Sequence, residues 1–332
     1  VTIMRVKGKE IKIISTDGDH QLGGKDFDDS IMKFSVEQFS REHGFDPTTD
    51  VYAASDLRSQ AEKAKRELSK RSKTLVAVRS QGKTSRVEIT REQLDGLIKP
   101  KIDTTLTLVR SVLHDAKLEP HQIDRVLLIG GSTRVVAVQE ALQQFFGKPA
   151  DSSVNPDEAV ALGAALMAAH RVVEIKPEDV PAPVAEKVGG LQITDVTSHS
   201  FGIEASVPNT NQKVNAILIP RNSPIPMEVS KEFVTTIPGQ TAIKVTIYQG
   251  EFPDPSLCNP VGEFTLGGLP SDRPAGRKVR VTVSCSASGV VDVTALDIET
   301  GKQTTTQVSY KSGAPSSRQS AKDRWKNEKP IV

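Results

Sequence analysis

Apolar and polar positions recur at two different periods along this chain, and the period changes a little past its middle. Upstream, apolar residues return every three or four positions, which is the spacing of a helix face turned toward a core. Phe27, Ile31, Phe34 and Phe39 form one such stripe after Gly23-Gly24. Leu57, Ala61, Ala64 and Leu68 form a second, within a helix predicted over residues 56–70. Glu62, Lys65, Arg66 and Ser69 gather on another face of the same helix, with Glu62 and Arg66 at i,i+4. Residues 75–78 and 87–89 predict a hairpin, and residues 91–116 a long helix with Pro100 at a break or kink. Near the start, residues 11–14 read as a strand that Thr16-Asp17-Gly18-Asp19 turns sharply.

Four consecutive apolar residues, Val126 to Ile129, stop at Gly130-Gly131 and predict a strand buried on both faces. Val135, Val138, Ala141, Leu142, Phe145 and Phe146 then follow at helical spacing until Gly147. A strand, a Gly-Gly-Ser turn and a helix start together let a ligand approach bare backbone. Arg134 stands where its planar guanidinium suits a ring or a phosphate. Asn155-Pro156-Asp157-Glu158 reads as a capped helix start. The small-residue helix behind it, with Ala161, Gly163, Ala164 and Ala168, is expected to lie buried against a sheet.

After Arg171 the helical period fades. Pro177, Pro181, Pro183 and Gly189-Gly190 mark a linker over residues 172–194. Beyond it come short runs at 216–219, 232–236, 242–248, 262–266, 279–284, 290–296 and 302–309, separated by turn residues. Ile243, Val245 and Ile247 alternate with Lys244, Thr246 and Tyr248, so this strand has one buried face, and the set predicts an all-β sandwich. The polar, basic stretch 311–332, with Trp325, is expected to be a disordered tail.

Composition narrows the function classes. Lys and Arg number 43 against 41 Asp and Glu, a net charge of +2, which argues against a nucleic-acid protein held by bulk charge. Aromatic residues are only 4% of the chain, too few for base-stacking platforms. Cys258 and Cys285 form neither a disulfide framework nor a metal spacing, so a reducing, cytoplasmic setting is expected. No apolar run approaches the roughly 20 residues of a membrane span.

Four stretches stand in a telling order: 18–28 (GDHQLGGKDFD), 61–69 (AEKAKRELS), 129–134 (IGGSTR) and 154–165 (VNPDEAVALGAA). With Asp195-Val196-Thr197, Phe201-Gly202-Ile203-Glu204 and Tyr248-Gln249-Gly250-Glu251, they resemble the seventy-kilodalton heat-shock (DnaK-type) chaperone family over nearly the whole chain except the tail. The resemblance implies an α/β plus all-β chain: the second lobe of an actin-like ATPase domain, a linker, then a peptide-binding β-sandwich. Its expected bounds are 1–171, 172–194 and 195–310, with the tail over 311–332.

By the same resemblance, ATP or ADP lies between two walls, with magnesium in the intact family member. Glu62, Lys65, Arg66 and Ser69 match one wall, Gly130, Gly131, Ser132 and Arg134 match the other with Asp157 nearby, and Gly24 is also expected to bind the nucleotide. Ile203, Phe233, Ile243 and Val245 match residues lining a peptide groove, and Ser206 and Thr236 match the pair arching over it. The arch residues are smaller or more polar than the family's. Leu191, Ile193 and Asp195 fall in the interdomain linker, where only alternate positions are apolar. Implied partners are unfolded polypeptide segments and J-domain and nucleotide-exchange co-chaperones, with no nucleic acid and no membrane.

The family's phosphate loops and catalytic lysine fall ahead of Val1, and its helical lid beyond the sandwich. These 332 residues are therefore expected not to turn over ATP alone, and no catalytic or metal residue is assigned. The competing reading is a non-catalytic scaffold that has lost ATP turnover. Another actin-like ATPase, such as a sugar kinase or filament protein, is disfavoured by the β-sandwich.

Overall fold

A computed structural model describes residues 1–308 except His20, Gln21, Ser152, Pro208, Asn209 and Asn211. The expected tail, with Trp325, and two residues of the first quoted motif thus lie outside the described residues. The chain divides into two compact units, Val1–Ile193 and Thr194–Val332.

The first unit opens with an antiparallel hairpin, β1 (Thr2–Lys7) and β2 (Glu10–Thr16). Gly23 precedes α1 (Gly24–His43), whose Asp26 side chain accepts a hydrogen bond from the Gly23 N–H at 2.8 Å. Helix α2 (Val51–Leu68) begins earlier than its apolar stripe, because the Asp50 carboxylate caps Tyr52 and Ala53. The hairpin of β3 (Lys73–Ser80) and β4 (Lys83–Thr90) follows, and a Thr90–Gln93 capping box starts α3 (Arg91–Ala116). Helix α3 runs unbroken through Pro100. Ile31, Phe39, Leu57, Leu68, Val76 and Ile98 meet in one core, so α1, α2, α3 and the β3–β4 hairpin form a packed body.

Two expectations fail in the remainder of this unit. Residues 126–129 join no sheet: a single parallel bridge ties Leu127 to Asp151, and Leu127 and Ile129 are 45% and 41% exposed. A run apolar on both faces needs a neighbour on each, and the described residues supply only that bridge. The turn at Gly131–Arg134 leads into α4 (Val136–Phe146), as the spacing predicts. Helix α5 (Ala159–Ile175) is not buried against a sheet; His170 is its one buried residue, while Val160, Leu162, Leu166 and Ile175 are exposed. Residues 172–191 include the end of α5, a 3-10 turn at Pro177–Asp179 and helix α6 (Ala182–Val188). The His170 ring contacts the Val188 carbonyl at 3.2 Å, and the Lys9 ammonium bonds the Gly189 carbonyl at 2.6 Å.

In the second unit, β5 (Gln192–Val196) crosses the division and pairs antiparallel with β8 (Pro224–Ile225) through Asp195 and Val196. One antiparallel sheet contains β6 (Phe201–Ser206), β7 (Lys213–Ile219), β10 (Ala242–Gln249) and β11 (Asn259–Gly267), in the order β11-β10-β6-β7. A second contains β9 (Met227–Val234), β12 (Lys278–Cys285), β13 (Val291–Asp297) and β14 (Gln303–Val308), in the order β14-β13-β12-β9. Ile219, Ile247 and Leu266 of the first sheet share one core with Val281, Val283 and Val293 of the second. Burying each of these side chains contributes roughly 1.5–3 kcal/mol, which is what holds two amphipathic sheets face to face. Cys285 is a buried member of that core.

Candidate functional site

The start of α1, the C-terminal half of α2 and the Gly130–Arg134 turn converge in the first unit. Gly24 is where they touch: a Cβ there would lie 2.8 Å from Ser132 Oγ and 3.2 Å from Lys65 Nζ. The absence of a side chain is what lets the turn come this close to the helix start. Lys65 donates to the Gly24 carbonyl at 2.9 Å and lies 2.7 Å from Asp28 Oδ1, with both side chains largely buried. Burial pushes the Asp28 carboxyl above its ordinary value, and Lys65 opposes that shift without cancelling it.

On the second wall, Gly130 has a positive φ of 89° with ψ of 152°, a backbone that favours glycine. Its N–H is held by the Pro156 carbonyl at 2.9 Å, which ties the turn to the segment before α5. Asp157 approaches Gly131, with its Oδ1 3.9 Å from where a Cβ would stand, and its other oxygen receives Arg134 Nη2 at 2.5 Å. Asn155 accepts from the Asp157 N–H at 3.1 Å, and the helix itself starts at Ala159, one turn later than the expected Asn155 cap. Arg134 and Asp157 are both solvent-exposed.

The structure therefore gathers Gly24, Lys65 and Ser132 in one place, and Gly131, Arg134 and Asp157 in another. Glu62 and Arg66 form their i,i+4 pair at 2.6 Å, with Arg66 76% exposed, so that guanidinium points to solvent. Ser69 caps the end of α2 and turns its hydroxyl back onto the Lys65 carbonyl at 3.2 Å. Sequence reasoning missed two contributors. Asp28 had a legible signal, since it is a carboxylate set between Phe27 and Ile31 on a buried stripe. The Pro156 carbonyl had none, because backbone acceptors leave no trace in residue identity.

In the second unit, Ile203 and Val245 are almost fully buried in the shared core, and Phe233 and Ile243 pack against it half-buried. Ser206 and Thr236 are exposed. The Thr236 N–H donates to Gln240 Oε1 at 3.3 Å within its own turn. Leu191 and Ile193 are partly buried, and the Asp195 side chain accepts from the Val196 N–H at 2.7 Å. Among the described residues no group of three or more His, Cys, Asp or Glu side chains is placed to hold a metal ion. No helix among them is long and apolar enough to cross a membrane.

A family model described as "Hsp70 protein" matches residues 1–329, and the chain belongs to the Hsp70 family. Among curated relatives, the chaperone protein DnaK of Thermotoga neapolitana is 36% identical over 310 residues, which cover 91% of this chain and 50% of that protein. The chaperone protein DnaK of Thermosipho africanus is 36% identical over 317 residues, covering 93% of this chain and 50% of that protein. The chain thus spans about half the length of the curated relatives it matches.

Proposed function

We propose that this chain is the portion of an ATP-dependent molecular chaperone that contributes one side of a nucleotide site and a β-sandwich for extended apolar polypeptide. One observation supports the nucleotide reading above others: Ser132 and Lys65 both close on Gly24, so a helix face and a Gly-Gly turn meet. The arrangement fits an adenosine nucleotide. Arg66 and Arg134 are exposed guanidinium planes suited to a purine, and the space where side chains would stand on Gly130 and Gly131 is open apart from Asp157. When bound, ATP would supply a transferable phosphoryl group, and its phosphate oxygens would coordinate magnesium. Within this chain, Lys65 holds the Gly24 end of the site, and Asp157 orients Arg134.

Titration of a fluorescent adenosine nucleotide tests this. Arg66→Ala and Arg134→Ala are each expected to weaken binding by roughly 1–2 kcal/mol. Wild-type affinity in both variants would show that the two walls do not share a ligand.

For the sandwich, Ile243 is the proposed central pocket residue: it stands at the start of the inward alternation and is only half-buried. An extended chain pairs its backbone with strand-edge groups and drops alternate side chains into such a pocket. Ile243→Phe is expected to abolish binding of a short Leu-rich peptide with little change in melting temperature. As an ordinary core residue, Ile243 would instead lose about 1–3 kcal/mol of stability on enlargement. Peptide affinity and melting curves of one preparation separate these outcomes. Unfolded polypeptides, J-domain proteins and nucleotide-exchange factors complete the proposed partners.

A further inference from the structure

The turn between β9 and β10, which carries Thr236, is held from outside. Thr235 donates its N–H to the Arg277 carbonyl at 2.9 Å and accepts from the Gly276 N–H at 2.8 Å. Its hydroxyl accepts from the Arg277 N–H at 3.0 Å. Further along, the Gly239 N–H donates to the Arg273 carbonyl at 2.8 Å, and the Leu269 N–H donates to the Thr241 carbonyl at 2.9 Å. The β9–β10 turn is thus laced to the β11–β12 turn at both ends and in its middle.

The β11–β12 turn is in turn anchored by charge to the end of β13. Arg273 Nη1 donates to Asp297 Oδ2 at 2.5 Å, and its Nη2 reaches Glu299 Oε2 at 2.7 Å. Arg277 Nη1 donates to the other oxygen of Glu299 at 2.6 Å. Asp297 is fully buried and also accepts the N–H groups of Glu299 and Thr300, which locks its rotamer. The end of β13 therefore holds Arg273, Glu299 in the turn just beyond it holds both arginines, and their backbones in turn hold the turn of Thr236.

Thr236 is too small and polar to retain an apolar chain by its own bulk. Retention then depends on how firmly its turn keeps its position, since a preorganised turn loses little entropy when a ligand lies beneath it. We propose that Arg273 and Glu299 are positioning residues that fix the Thr236 turn over the groove and so set how slowly bound polypeptide leaves. This rests on the peptide-binding reading above.

The test uses the full chain and a fluorescent Leu-rich heptapeptide, with dissociation followed by stopped flow. Glu299→Gln removes the charge that Arg277 and Arg273 share while leaving both contacts of Arg273 to Asp297. The double substitution Arg273→Leu/Asp297→Leu removes the buried pair without stranding one charge. Both are expected to speed dissociation about five-fold or more with association nearly unchanged, the usual signature of altered retention. Raised salt should speed release from the wild type, through the half-exposed Arg277–Glu299 pair, more than from Glu299→Gln, which lacks that pair. Arg280→Gln, which breaks an exposed pair with Glu232 elsewhere on the second sheet, serves as the control and should keep the wild-type rate. Unchanged dissociation in Glu299→Gln and in the double variant would overturn the latch alone. If the double variant melts early, Glu299→Gln decides by itself. A wild-type chain that binds no peptide would overturn the groove reading and the latch with it.

Discussion

Asp297→Ala should cost the second unit about 3–5 kcal/mol, the range for leaving one partner of a buried ion pair uncompensated. Asp297 is fully buried, and three donors converge on it: the Arg273 guanidinium and the N–H groups of Glu299 and Thr300. Alanine leaves Arg273 only its contact with Glu299, and leaves both N–H groups without this acceptor in a place water does not readily reach. The melting temperature is expected to fall by more than about 10 °C. Burial opposes ionisation of Asp297, but Arg273 and the two backbone N–H groups outweigh it and hold the carboxyl below its ordinary range. A depressed folded value means the contribution is fully present above the unfolded value of about 3.9 and is lost as pH falls through the folded one. Thermal melts of wild type and Asp297→Ala from about pH 7 to about pH 2 should converge at the acid end. A loss below about 1 kcal/mol at neutral pH would show that the cluster contributes no more than an exposed pair.

The second large effect lies at the candidate nucleotide site. Lys65→Met removes the cation facing Asp28 and leaves a largely buried carboxylate alone, at a cost of about 3 kcal/mol near neutral pH. Here the pH dependence has the opposite sign. Burial raises the folded value of Asp28 above the unfolded one, so the folded state binds the extra proton, and stability falls as pH rises through that window. Losing Lys65 removes the main opposing influence, so the window widens upward and acidification should recover part of the loss. Adding Asp28→Asn to Lys65→Met is expected to restore most of the stability, since no charge then remains to bury. Urea titrations of the wild type and the two variants at two pH values measure both effects. Equal losses with and without Asp28→Asn would mean that Lys65 acts through Gly24 rather than through Asp28.

Helices with a continuous apolar stripe were legible to within a few residues, as in α1 and α3, because burial along one face imposes a 3.6-residue period. Helix α2 begins at Val51, where Val51 and Tyr52 are exposed and only the Asp50 cap signals the start. Strand β1 was missed because all but one of its residues are exposed, which leaves no alternation to read. The run at 126–129 misled for the opposite reason: its composition encodes two covered faces without saying what covers them, and α5 repeats the same ambiguity.

The candidate site divides along similar lines. Its residues were named by resemblance, and the Glu62–Arg66 pair was legible by helical spacing alone. That Lys65 faces inward to Gly24 and Asp28 while Arg66 faces solvent follows from how α1 packs on α2, which no local pattern contains. By itself the sequence determined which segments coil or extend, and which faces must find cover, because those depend on neighbours a few positions away. Only the tertiary structure decided which charges are buried and paired. Arg273 and Asp297 stand 24 positions apart in turns with no periodic signal, and the free energy of an ion pair depends on distance and on excluded water.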